Sequence, residues 1–151
     1  MGMQHIELST TTAAPAGVVH GLLRDGAGWP DWSPIDSFEL ESPGADGGES
    51  VGAVRVFRTG RITNRERIVE IVPDRRFSYV LLSGLAIRDY RADIDLSKGP
   101  DGTTIAWHSS FRAKVPGTGW LYRRSLTTFI RDMVDGLAAR ATADSRPRAT
   151  G

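Results

Sequence analysis

Seven apolar residues near the end of the chain, Leu126, Phe129, Ile130, Met133, Val134, Leu137 and Ala141, recur at i, i+3, i+4, i+7, i+8, i+11 and i+15. Arg123, Arg124, Arg131, Asp132, Asp135 and Arg140 all fall off that stripe. The spacing predicts one amphipathic helix from about Gly117 to Ala143. Such a helix is about 40 Å long at 1.5 Å per residue, and its stripe has to be covered along most of that length. The residues upstream must therefore build a broad apolar surface.

The upstream text is strand-like. MQHIELSTTT alternates around Ile6 and Leu8 and predicts a first strand. From Ile35 to Lys114 six more runs are separated by turn signals, at about 35–42, 51–59, 61–72, 76–83, 87–97 and 103–114. The separators are SPGADGGES, Thr59-Gly60, Pro73-Asp74, Ser83-Gly84 and the reverse-turn word GPDG at 99–102. Connections this short make consecutive strands antiparallel neighbours. Between the first strand and the rest lies TTAAPAGVVHGLLRD, a helix with Pro15 in its first turn and Gly26 and Gly28 beyond its end. The predicted class is α+β: a seven-stranded antiparallel sheet, two short helices after strand 1, and a long C-terminal helix.

Phasing the strands shows which side meets the helix. In 87–97, Arg88, Tyr90, Ala92, Ile94 and Leu96 share one face, and Asp89, Arg91, Asp93 and Asp95 the other. In 103–114, Ile105, Trp107, Ser109 and Phe111 oppose Thr104, His108, Ser110 and Arg112, and in 76–83 Phe77, Tyr79 and Leu81 lie together. The run Ile68, Val69, Ile71, Val72 breaks alternation, so a bulge is expected in 61–72. One face is then aromatic and grips the helix, and the other is charged and wet.

With 151 residues and no shift in composition, a single domain over 1–143 is expected, followed by a disordered polar tail at 144–151. A chain of this size can bury a core with room for a cavity. The net charge of +1 gives no long-range pull toward nucleic acid or an anionic membrane. The absence of cysteine excludes disulfides and thiolate metal sites. No apolar run is long enough for a membrane span, and no charged-then-apolar leader opens the sequence, so a cytoplasmic protein is expected.

Particular words add to this. APAGVVHGLLRD followed by WPDWSP, then VPDRRFSYVLLSG, IRDYRADIDL, and GTTIAWHSSFRAKVPGTGW leading into the last helix resemble the START/Bet v 1-like (SRPBCC) superfamily, in its polyketide cyclase/dehydrase branch. The resemblance covers roughly residues 4–143 and implies the helix-grip fold: a sheet wrapped round the C-terminal helix, with a cavity for an apolar ligand between them. One departure is His20, in VVHGLL, where the branch usually carries an aromatic residue. The resemblance also gives a place to GWPDWSP, Gly28 to Pro34, whose two tryptophans sit between prolines. It becomes the second short helix, which joins the first in a V-shaped cradle. Trp29 is read as core, and Trp32 either as core or as a residue facing ligand.

The residues themselves exclude several chemistries. His5, His20 and His108 are far apart and show no metal-ligand spacing, so no metal site and no cofactor are expected. Gly117-Thr118-Gly119 imitates a dinucleotide loop, but the third glycine position is Tyr122 and no second parallel strand follows. No G-x-S-x-G turn is present. The arginine clusters at 65–67, 75–76 and 123–131 are interspersed with acids, as on a solvated surface.

What remains is the cavity face. Trp32, Tyr79, Arg88, Tyr90, Trp107, Phe111 and Met133 are the candidate ligand-binding residues. Arg88 reads either as the polar handle of an apolar pocket or as a sheet-edge side chain reaching water, with Glu66 as its partner if a bulge turns that carboxylate inward. No residue pair marks catalysis. Two functions stand side by side: binding of a hydrophobic small molecule (polyketide-, lipid- or isoprenoid-like), or an aromatase/cyclase-type enzyme using the same cavity. The expected partner is that small molecule, with no nucleic acid and no integral membrane, in a monomer or homodimer.

Overall fold

The computed structural model describes residues 2–146. Strand β1 (Gln4–Thr12) leads to helix α1 (Ala16–Arg24), a single 3-10 turn (Gly26–Gly28) and the short helix α2 (Trp29–Trp32). Six strands follow: β2 (Ser37–Ser42), β3 (Val54–Thr59), β4 (Ile62–Val72), β5 (Arg76–Ser83), β6 (Ile87–Gly99) and β7 (Gly102–Ala113). Helix α3 (Gly119–Ser145) closes the order. The strands form one antiparallel sheet in the order β1-β7-β6-β5-β4-β3-β2, so β1 and β2 are its edges.

This is the architecture expected from the alternation and the terminal stripe. The helix runs to Ser145, two residues past the expected boundary, so the first two positions of the anticipated tail are helical. Residues 147–151 of that tail lie outside the described residues. Ile130, Met133, Val134, Leu137, Ala138 and Ala141 bury the stripe against the concave side of the sheet. Where the helix meets β1, Thr142 Oγ1 and Thr12 Oγ1 are 2.6 Å apart and share a hydrogen bond.

The convex side is charged, as expected. Arg76 makes a bidentate pair with Asp95 at 2.7 and 3.1 Å and reaches Glu70 at 3.2 Å. Arg91 contacts Asp93 at 3.1 Å, and His108 lies 3.5 Å from Asp95 on the same surface. These half-exposed pairs cover the sheet while contributing little stability.

GWPDWSP folds into the cradle. Trp29 is 1% exposed, and its ring lies 4.9 Å from Trp32, 4.8 Å from Phe57 and 6.2 Å from Trp107. Its indole N–H donates to the Leu23 carbonyl at the end of α1, at 3.1 Å. Pro30 starts α2 and Pro34 follows it, so the segment stays one helical turn long and both indoles turn inward.

Candidate ligand-binding site

Strands β3 and β4 form one wall of the site. Their register sets Arg55 opposite Glu66, Phe57 opposite Asn64 and Thr59 opposite Ile62. With the period of two, this puts three cross-strand pairs in a ladder along the concave face. At the deep end a chamber of about 30 Å³ is lined by Glu66, Tyr79, Tyr90 and Met133, with Trp29 and Phe57 behind. Toward the surface lies a groove of about 520 Å³, between the first turns of α3 and the β3–β4 hairpin. Asn64, Leu85, Leu126 and Phe129 border both spaces, so the two are adjacent. The groove is mainly apolar, with Ile62, Leu121 and Tyr122 along it and Thr59 and Ser125 as polar exceptions.

The deep chamber holds the ionisable groups. Glu66 is 7% exposed, and burial pushes its carboxyl up to about 7 while the charge of Arg55 opposes the shift. Burial raises the Tyr79 phenol well above its usual range and the Tyr90 phenol to about 12, so both are neutral at ordinary pH. The Tyr90 hydroxyl and Ser109 Oγ are 3.0 Å apart, within hydrogen-bond reach. Among the described residues, Glu66 Oε1, Asn64 Oδ1 and Thr59 Oγ1 are buried and have no hydrogen-bond partner. An unpartnered buried acceptor is costly, and here three lie along the wall that faces the two spaces.

Arg55 is fully buried, yet it does not form an ion pair with Glu66. Its Nη1 donates to the Leu23 carbonyl at 3.0 Å and to Glu49 Oε1 at 3.2 Å. The guanidinium carbon lies 4.9 to 5.0 Å from the ring centres of Trp29, Phe57 and Phe77. Three π faces and the C-terminal end of α1 thus hold the cation away from the chamber. The alternation in VRVFRT puts Arg55 beside Phe57 on the concave face, and that signal could have identified it from sequence.

Of the residues expected to bind ligand, Tyr79, Tyr90 and Met133 border the chamber. Trp107 and Phe111 are fully buried in the core, and Trp32 packs in the cradle; none of the three lines the chamber or the groove, whereas Trp29 does. Arg88 requires a correction. Its partner across the sheet is Arg112, but the next pair is Arg91 with Ser110, so β6 carries one extra residue. Asp89 takes the left-handed conformation there, at φ 54°. The bulge turns Tyr90 inward and leaves Arg88 exposed, so the two do not share a face. Strand β4 has the bulge expected from its sequence, between Ile68 and Glu70, and Glu66 points inward.

His20 is buried against Phe77, with Nε2 3.3 Å from the Arg76 carbonyl, and borders neither space. Burial lowers its pKa, so the aromatic position is filled by a neutral ring. Among the described residues, no cluster of three His, Asp or Glu side chains could hold a metal ion. Among the same residues no helix is long and apolar enough to cross a membrane.

A sheet curled round a long C-terminal helix, with a two-helix cradle and a chamber between, defines the START/Bet v 1-like helix-grip class. Within it the chain belongs to the family described as polyketide cyclase/dehydrase and lipid transport, which matches residues 3–142. Solved structures show the same fold. A START superfamily protein from Mycobacterium smegmatis is similar with a TM-score of 0.77 and 15% identity, over 95% of this chain and 99% of that one. The Zhui aromatase/cyclase from Streptomyces sp. R1128 is similar with a TM-score of 0.75 and 20% identity, over 99% of both chains. Ara h 8.0201 gives 0.76 and 15%, over 94% of this chain and 99% of that one. No curated protein sequence matches the chain. Family and fold together support a hydrophobic-ligand-binding or polyketide cyclase/dehydrase role.

Proposed function

We propose that the protein binds a hydrophobic small molecule, its apolar body in the groove beside α3 and one end at the deep chamber. The observation that carries this reading is the adjacency of the two spaces: an apolar groove of about 520 Å³ shares four lining residues with a chamber, along a wall whose Thr59, Asn64 and Glu66 carry unpartnered oxygens. An apolar trough with a few convergent polar groups is the usual composition of a small-molecule site. Polyketide-, lipid- or isoprenoid-like molecules have that build. The test is native mass spectrometry for a co-purified lipophile, together with titration of the dye ANS. Saturable binding of ANS, displaced by the lipophile, is expected. A protein that neither retains a lipophile nor binds ANS saturably overturns the reading.

A second reading, an aromatase/cyclase-type enzyme, is favoured by one observation. The chamber gathers a carboxyl near neutrality with two neutral phenols. A carboxylate can take a proton from carbon beside a carbonyl, and a phenol can hydrogen-bond the carbonyl oxygen as the enol forms. Incubation with a linear poly-β-keto thioester separates the readings: a cyclised product supports the enzyme, and substrate recovered unchanged supports the carrier.

A further inference from the structure

The deep chamber is small and one-sided in its chemistry. Its volume of about 30 Å³ admits the polar head of a ligand and not its body. Glu66 lines it, more than nine-tenths buried and with Oε1 unpartnered, and Asn64, whose Oδ1 is also unpartnered, borders both chamber and groove. The charged and titratable groups facing Glu66 are Arg55 from β3, Tyr79 from β5 and Tyr90 from β6; α3 contributes Leu126, Phe129, Ile130 and Met133, which carry none. Arg55 does not border the chamber: its Nη1 is bonded to Glu49 and the Leu23 carbonyl, its guanidinium lies against three aromatic rings, and its Nε and Nη2 are unpartnered.

We propose that the chamber is a hydroxyl-recognition subsite: it takes one neutral O–H donor at the end of an apolar ligand, with the Glu66 carboxylate as acceptor and Asn64 beside it, and it refuses a carboxylate head. This inference rests on the groove being the binding site. It names the ligand class as an alcohol, phenol or enol on an apolar skeleton. A hydrogen bond to a charged acceptor contributes more than one between neutral groups, and a carboxylate facing Glu66 meets a like charge.

Three probes of one shape test it at pH 8: 2-methylnaphthalene, 2-naphthol and 2-naphthoate, titrated against wild type, Glu66→Met and Glu66→Gln. In wild type, 2-naphthol should bind about ten- to a hundredfold tighter than 2-methylnaphthalene, the range of a charge-assisted hydrogen bond, and 2-naphthoate should bind weakest. Glu66→Met should abolish the hydroxyl preference, and Glu66→Gln, which keeps a neutral acceptor, should reduce it to a fewfold effect. Both variants should retain 2-methylnaphthalene, which reports an intact groove. Equal affinity of wild type for naphthol and naphthoate, or an unchanged naphthol preference in Glu66→Met, overturns the subsite while leaving the groove reading in place. Failure of wild type to bind any of the three overturns both.

Discussion

Arg55 and Glu66 stand directly opposite each other on adjacent strands, and yet they do not pair. The guanidinium is bonded to Glu49 and the Leu23 carbonyl, while Glu66 Oε1 has no partner. A cation and an anion at such a position usually close on each other, since cross-strand neighbours are about 5 Å apart at Cβ. Here the cradle takes the arginine. Leu23 at the end of α1 and Trp29 at the start of α2 bind it from one side, and the carboxylate is left to the ligand chamber.

The first consequence is a pH dependence of stability. The folded protein holds the Glu66 proton up to about pH 7, whereas the unfolded chain releases it near 4.5. Between these values the folded state binds more protons, so this group makes stability fall as pH rises. The full difference is on the order of 3 kcal/mol and is reached above pH 7. His20 acts the other way: its lowered pKa removes stability as pH falls through 6.5. Because His20 is common to both proteins, the difference between wild type and Glu66→Gln isolates Glu66. Urea unfolding at pH 5 and pH 8 should show Glu66→Gln gaining relative to wild type on going to pH 8. A difference independent of pH would mean that Glu66 titrates normally.

Removing the cation should have two effects. Arg55→Met takes one donor from the Glu49 carboxylate, which keeps the Gly26 N–H, and one from the Leu23 carbonyl, which keeps the Trp29 indole, so a loss of about 1–3 kcal/mol is expected. It also removes the charge that opposes the rise in the Glu66 pKa. The pH at which the Glu66 cost is complete should therefore move upward and the full cost should grow, while its onset stays near 4.5. Comparing Arg55→Met with the Arg55→Met/Glu66→Gln double variant over pH reads that shift.

Gly136→Ala should destabilise the protein even though it lies inside a helix. In an exposed helix the exchange would gain about 1 kcal/mol. In α3 the added Cβ would overlap the Trp32 carbonyl oxygen, because α2 crosses the helix at that point. Backbone on both sides leaves no side chain free to yield. A net loss of about 1–3 kcal/mol is expected, read from the urea midpoint. A gain would mean that the cradle and α3 are not in close contact.

Two surface substitutions separate the groove from the site read from sequence. Ser125 is exposed and borders the groove, so Ser125→Trp should fill the groove and weaken ANS binding about tenfold or more, with stability changed by no more than about 0.5 kcal/mol. Arg88→Met lies beyond the β6 bulge in solvent and should leave the naphthol-to-naphthoate ratio unchanged. A ratio that shifts in Arg88→Met would put that guanidinium at the ligand after all.

The chamber was only partly legible in the sequence. Tyr79, Tyr90 and Met133 could be named because regular alternation and a regular helical stripe carry their phase. Trp107 and Phe111 share that phase and lie under the helix, but they fill the core instead of bordering the chamber. Phase tells which side a residue faces. How far along the sheet the helix leaves it uncovered is decided by packing. Arg88 was misplaced for a different reason, since one residue inserted at Asp89 reverses every phase beyond it.

By itself the sequence determined what has a short period. Strand-like runs joined mostly by short turns point to an antiparallel sheet, and a 27-residue helix with one stripe had to lie upon it. The tertiary structure decided which polar groups lose their partners. Arg55 and Glu66 are eleven residues apart in the chain, and their separation depends on Leu23, Trp29 and Glu49 arriving from the cradle and its following loop. Burial and charge pairing arise from contacts between distant segments, and no local pattern encodes them.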